Sequence, residues 1–257
     1  MSAQQPKVHA IYRYPVKGLS PEPLEQTVLA RGETLPADRL YAVENGPSGF
    51  DPAAPRYQPK QRYLMLMRNE RLARLRTHFH DASHTLVIGL EGREAVRADL
   101  RTPDGRAAIE RFFAQFCAHE LNGAPRVLHA PGFSFSDVAS KVVSIINLAS
   151  LAAIEDVLGV SVHPLRFRAN LYVTGWPPWR EFDLVGQELA VGQSARLKIV
   201  KRIVRCAATN VDPDTGIRDL TIPHTLMQRF GHADCGVYGQ VVNGGTIATG
   251  DAISLVK

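Results

Sequence analysis

The sequence predicts a mainly β, α+β fold of barrel-like sheets with a few helices attached. Three observations point there. Short alternating or continuous apolar runs of strand length recur along the whole chain, separated by turns rich in glycine and proline. Helical periodicity is confined to a few short stretches, chiefly 107–121, 148–158 and 223–230. A hydrophobic share of 45% against 21% charged, over 257 residues, supplies a core for one large β-rich domain or two smaller ones.

Taken in order, residues 8–14 alternate well enough for a strand, which Pro15 ends. The loop 16–21 follows, and Gly18 in it lets the backbone approach a partner closely. Strands are expected at 26–30 and 39–44, and Asn45-Gly46-Pro47-Ser48-Gly49 reads as a turn. A short helix is expected over 69–78. Runs 85–90 and 94–100 flank Glu91-Gly92-Arg93, the pattern of a hairpin.

The 107–121 helix puts Phe112, Phe113, Phe116 and Cys117 on one face, which makes Cys117 a core residue; Gly123 and Pro125 end it. Residues 142–146 are continuously apolar, as in a buried strand. Asn147 then caps a helix over 148–158 with Leu151, Ile154 and Leu158 as its buried stripe, and Gly159 terminates it. Further strands are expected at 171–174, 188–191, 194–204, 236–242 and 252–256. The helix 223–230 opens on Pro223 and stops at Gly231.

The stretch with the most chemistry is Arg205-Cys206, followed by Thr209 and the turn Asp212-Pro213-Asp214-Thr215-Gly216. It leaves a strand carrying Lys198, Lys201 and Arg202. Cationic neighbours favour thiolate over thiol, and thiolate is the form that attacks electrophiles or binds soft metals. On residue type alone, a buried structural cysteine fits Cys206 as well. Upstream, Arg166 and Arg168 would point the same way on an extended chain, able to hold a phosphate or carboxylate. Ordinary solvated arginines fit that pair equally.

Composition narrows the classes. A net charge of +5 permits nucleic-acid binding, yet no basic block is interleaved with aromatics, so no nucleic-acid partner is expected. The densest basic group, from Arg56 and Lys60 to Arg76, alternates with leucines and reads as the wet face of packed elements. Three cysteines at no regular spacing fit a reducing compartment. Residues 1–8 are polar, without the apolar core of a signal peptide, and the apolar-rich 138–158 is broken by Lys141, Glu155 and Asp156. A cytoplasmic monomer that does not engage membranes is expected.

Three groups of residues resemble the MOSC domain, named for the C-terminal part of molybdenum cofactor sulfurases. They are Arg166-Phe167-Arg168-Ala169-Asn170, then Arg205-Cys206 with Thr209 and 212–216, then Gly245-Thr246-Ile247-Ala248-Thr249-Gly250-Asp251. Tyr14-Pro15-Val16-Lys17-Gly18-Leu19 and Asp38-Arg39 resemble the β-barrel domain that often precedes it. The resemblance implies a MOSC-type barrel over 126–257 behind a smaller β-barrel-like domain over 1–125. Among its relatives are the amidoxime-reducing molybdenum enzymes.

What the resemblance implies for the site is concrete. Cys206 inherits the role of thiolate ligand to molybdenum in the molybdenum cofactor (molybdopterin), with Asp212 beside it as a catalytic candidate. Lys17, Arg39, Arg168 and Asn170 fall on positions that supply donors to the cofactor's phosphate and pterin, and Thr209 shapes the pocket. Arg166 is a further candidate. Gly18 and Val204 depart from the usual pattern, standing where relatives often carry a hydroxyl residue and Ser. Backbone N–H groups or Ser150 are the replacement donors on offer.

The implied reaction is reductive removal of oxygen from a small N-hydroxylated substrate. The sequence has no cysteine cluster spaced for an iron–sulfur centre and no Rossmann or P-loop fingerprint. Electrons are therefore expected from a separate reductase or small redox protein, and pyridoxal phosphate is not expected. Two other readings use the same residues: a cofactor or sulfur carrier without turnover, and a zinc site from His232, Cys235, Cys206 and His224.

Overall fold

The structure, a computed structural model, describes residues 5–256. The first half contributes β1 (Lys7–Arg13), β2 (Glu22–Leu24), β3 (Gln26–Leu29), β4 (Ala42–Glu44), β5 (Leu75–His80), β6 (Thr85–Leu90) and β7 (Arg93–Asp99). Helix α1 (Pro103–Phe116) follows, then β8 (Arg126–Leu128), β9 (Val143–Asn147), α2 (Leu148–Leu158) and β10 (Leu171–Thr174). The remainder is β11 (Glu188–Val191), β12 (Ala195–Val204), α3 (Ile222–Phe230), β13 (Asp234–Asn243), β14 (Gly245–Ala248) and β15 (Ile253–Leu255). The fold is mainly β with helices attached.

One eight-stranded sheet dominates, in the order β15-β11-β12-β13-β9-β10-β1-β2. Its pairs are antiparallel except β9 with β10, which are parallel and joined through α2. Its central strands are buried on both faces. Val143 and Ile145 of β9, Leu171 and Val173 of β10, and Val237 of β13 enter one core. Ile146, Tyr172 and Cys235 point the other way, under α2 and α3. That double burial is why 142–146 reads as unbroken apolar sequence.

The first strands of the chain belong to this same sheet, since β1 pairs with β10, and β3 pairs with β14 near the C-terminus. The position 125/126 therefore does not separate one set of sheets from another. Residues 75–117 form a distinct layer, in which the β5-β6-β7 sheet and α1 enclose Leu75, Phe79, Leu86, Ile88, Ile109, Phe113 and Cys117. Its β6–β7 turn takes Glu91 and Gly92 through φ of 52° and 77°, the left-handed pair that a two-residue hairpin needs.

Several elements differ from their sequence reading. The helix expected over 69–78 is a 3-10 turn at Glu70–Arg74 followed by β5, because Leu75 and Phe79 alternate inward while Arg76 and His80 face out. Helix α1 starts earlier and stops sooner than 107–121. Thr102 caps it through a bond from the Gly105 N–H, Pro103 takes the first turn, and Cys117 closes it. The strand expected at 39–44 is reduced to β4, since Arg39 lies at φ 51°. Strand β14 was not expected; it lies in the segment carrying the Gly245–Asp251 motif.

Candidate functional site

Cys206 follows β12 directly and opens a 3-10 turn, Ala207–Asn210. Its carbonyl accepts from the N–H and the hydroxyl of Thr209, both at 3.0 Å, so the backbone of the cysteine is pinned. Arg205 also lines the cavity next to Cys206, but its guanidinium is spent on structure. Its guanidinium donates to the carbonyls of Cys235, at 2.7 Å from Nε, and of Phe167, at 3.0 Å from Nη1. Cys206 is left half-buried on the wall of this cavity, whose volume of about 320 Å³ is within the ordinary range for small-molecule sites.

That cavity gathers residues from distant parts of the chain. The segment after β1 brings Lys17 and Gly18, the turn before β4 brings Arg39, and the segment before β10 brings Arg168 and Asn170. Thr209 and Cys206 complete the set of sequence candidates lining it. Lysines and arginines outnumber carboxylates on its wall, where only Asp38 and Asp137 are acidic.

The cation in contact with the thiol is Lys60. Its ammonium donates to Cys206 Sγ at 3.1 Å and lies 3.9 Å from Asp137. This corrects two expectations: Lys60 is not part of a wet face, and the thiol's closest cationic partner is not on its own strand. Burial disfavours the Lys60 ammonium, but Asp137 and Cys206 outweigh that and raise its pKa.

Asp137 also pairs with Lys17, which donates to the Phe135 carbonyl at 2.8 Å. Burial would raise the Asp137 carboxyl, yet Lys17, Lys60 and Arg39 hold it well below the usual carboxylate range. For Lys17 burial wins, and its pKa falls despite the partner. Both groups belong to one ion pair, and the direction that decides its charge state at neutral pH is the carboxylate's.

Gly18 stands at φ +83°, and a Cβ there would lie 2.7 Å from the Leu64 carbonyl oxygen. The departure from a hydroxyl residue therefore has a steric cause. Val204 is 73% exposed at the rim. Asn170 lines the cavity but its amide oxygen accepts from the Ser144 N–H and hydroxyl, at 3.1 and 2.8 Å, and its amide nitrogen donates to the Tyr12 carbonyl at 3.2 Å.

Two candidates are placed elsewhere, and a third is spent on structure. Ser150 is fully buried and withdrawn from the cavity, because its hydroxyl donates to Glu181 at 2.8 Å and accepts from the Trp179 N–H at 2.8 Å. Asp212 is outside the lining. One of its oxygens accepts from the Asp214 and Thr215 N–H groups at 3.0 and 2.8 Å, and the other from Arg166 at 3.0 Å. Burial opposes ionisation of Asp212, but these donors prevail and lower its pKa. Arg166 touches the cavity yet is a strut, forked onto Asp219 at 2.7 Å through both terminal nitrogens.

The zinc alternative finds no support in the geometry. His232 packs edge-on against Trp179 and Phe182, Cys235 is fully buried, and no three His, Cys, Asp or Glu side chains among the described residues come together as a metal site. No helix among those residues is long and apolar enough to cross a membrane.

The cavity suits a soft-metal complex carrying a phosphate. It offers one accessible thiol beside an ammonium, and at a distance from it the guanidinium of Arg168, which has no hydrogen bond or ion pair among the described residues.

The family profile described as "MOSC domain" matches residues 74–254, and that described as "MOSC N-terminal beta barrel domain" matches residues 5–123. The chain is 31% identical over 124 residues to mitochondrial amidoxime-reducing component 1 of Homo sapiens, covering 44% of this chain and 36% of that protein. Against the Mus musculus protein of the same name it is 30% identical over 135 residues, covering 48% and 38%. The matched segments thus span under two fifths of the curated relatives' length. Among solved structures, the YuaD protein from Bacillus subtilis aligns over 97% of this chain and 94% of its own at 12% identity and a TM-score of 0.45. YiiM from Geobacillus stearothermophilus aligns over 45% and 54% at 19% identity and a TM-score of 0.36.

Proposed function

The chain belongs to the MOSC family and carries that family's N-terminal β-barrel domain, and from this we propose that it holds a molybdenum cofactor in the Cys206 cavity and reduces small N-hydroxylated compounds. The observation that carries the proposal is one cavity wall bearing an accessible thiol, Lys60 at 3.1 Å from it, and the unpaired guanidinium of Arg168. When bound, the cofactor supplies two-electron chemistry that takes the oxygen from an N–OH group, so that substrate, two electrons and two protons give the N–H product and water.

The protein's own residues do the rest. Cys206 supplies the thiolate, with the Lys60 ammonium as its counter-charge. Thr209 fixes the cysteine's backbone, so that Sγ is presented from a rigid position. Arg168, Lys17 and Arg39 provide the positive field for the phosphate end. Asp212 acts through Arg166 and the turn it caps, holding the loop behind Cys206. A separate reductase or small redox protein delivers the electrons.

The test is protein loaded with cofactor and assayed on a simple amidoxime with a chemical reductant. Amidine formed in proportion to bound molybdenum supports the reductase. Tight binding without product moves the protein to the carrier reading.

A further inference from the structure

The cations of the cavity are not equivalent. Lys17 is paired with Asp137, and Arg39 is forked onto Asp38 at 2.7 and 2.6 Å. Arg168 has no carboxylate partner among the described residues, although burial lowers the pKa of its guanidinium. A half-buried guanidinium without a counter-ion is partly withdrawn from water and gains from another source of stabilisation.

That source is the ring of Tyr14. The Arg168 guanidinium carbon lies 4.3 Å from the ring centroid, and the Arg39 guanidinium carbon lies 4.4 Å from it. A π face stabilises a cation without cancelling its charge, and the effect is largest where water is excluded. Tyr14 is itself fully buried; its hydroxyl has no hydrogen-bond partner among the described residues, and its polar neighbour is the Tyr172 hydroxyl. Its backbone organises the same group: its N–H donates to Asp38 at 2.9 Å, and its carbonyl accepts from the Arg39 N–H at 2.7 Å. Arg39 in turn donates from Nη2 to the Arg168 carbonyl at 2.9 Å. Both arginines hold the left-handed backbone at φ 51°, which non-glycine residues rarely adopt and which persists when surroundings over-determine it.

We propose that Tyr14 is a positioning residue of the cavity: its ring holds the Arg168 guanidinium oriented toward an incoming anion and free of a counter-ion. The proposal rests on the reading of this cavity as a phosphate site. It ranks the three cations: an incoming phosphate meets Arg168 unpaired, but must share Lys17 with Asp137 and Arg39 with Asp38.

The experiment is titration of the purified full chain with inorganic phosphate by calorimetry, alongside Tyr14→Phe, Tyr14→Leu, Arg168→Lys, Arg168→Met and Lys17→Met, each checked for folding by circular dichroism. Tyr14→Phe keeps the ring and loses a hydroxyl that makes no hydrogen bond to either arginine, so it binds like wild type. Tyr14→Leu binds about tenfold more weakly, the scale of a desolvated cation–π contact. Arg168→Lys keeps the charge but not the planar stack and also weakens binding, which decides the matter if Tyr14→Leu does not fold. Arg168→Met loses more affinity than Lys17→Met. Wild-type affinity in either Tyr14→Leu or Arg168→Lys, or the reverse ranking of the two methionine variants, overturns the proposal alone. Absence of phosphate binding by the wild type removes the phosphate-site reading beneath it and the proposal with it.

Discussion

The ammonium of Lys60 donates to Cys206 Sγ at 3.1 Å across 146 residues of sequence. That ammonium places a positive charge beside the sulfur. Lys60→Met is expected to slow alkylation of Cys206 by the anionic reagent iodoacetate roughly three- to tenfold relative to neutral iodoacetamide, because the local positive charge that attracts the anion is gone. The other thiols do not interfere, because burial pushes both Cys117 and Cys235 up to about 12. An unchanged ratio of the two rates in the variant would show that Lys60 does not govern the field at the thiol.

Gly18→Ser introduces the hydroxyl residue that the family resemblance implies at this position, but it forces a side chain onto a backbone at φ +83° and within 2.7 Å of the Leu64 carbonyl oxygen. The expected cost is about 1–3 kcal/mol of stability, read from urea unfolding midpoints. A variant as stable as wild type would mean that the loop relaxes without strain.

Asp137→Asn tests the ion pair with Lys17. The native carboxyl titrates below its unfolded value, so its contribution is fully present above pH about 4 and fades as pH falls through the lower native value. The Asp137 side chain is 51% exposed, so solvent screening holds the loss to about 1 kcal/mol at pH 7. The gap between variant and wild type in denaturant titrations should narrow toward pH 2–3. A gap that is constant with pH would assign the effect to packing.

Arg166→Met removes a fork that ties Asp219, Asp212 and the Asn210 carbonyl together from a buried side chain. About 2–3 kcal/mol of destabilisation is expected by chemical denaturation, since two carboxylates lose their partner. If stability is retained, the loop behind Cys206 is held by its own turn.

Much of the fold was legible because local signals agreed with tertiary demands. Asn147 caps α2 through the Ala149 N–H at 3.1 Å, and Gly159 ends the helix in the left-handed region, as the cap and terminator residues suggest. The misread stretch after Asn69 has a physical cause. Leu72, Leu75 and Phe79 recur with helical spacing, but pairing of β5 with β6 decides the structure. At the site, Lys17, Arg39, Arg168, Asn170, Thr209 and Cys206 were named in sequence and line one cavity. Lys60 and Asp137 were not singled out, because a 3-10 turn and an irregular loop carry them and only the chain's path brings them to the thiol. Ser150 was misplaced because nothing local shows that Glu181 claims its hydroxyl.

The most direct test of the account is molybdenum content per chain, measured by elemental analysis for wild type and Cys206→Ala made in the same cofactor-competent host. The account predicts molybdenum in the wild type and its loss in the variant, with folding intact by circular dichroism. Equal molybdenum in the two proteins would contradict it.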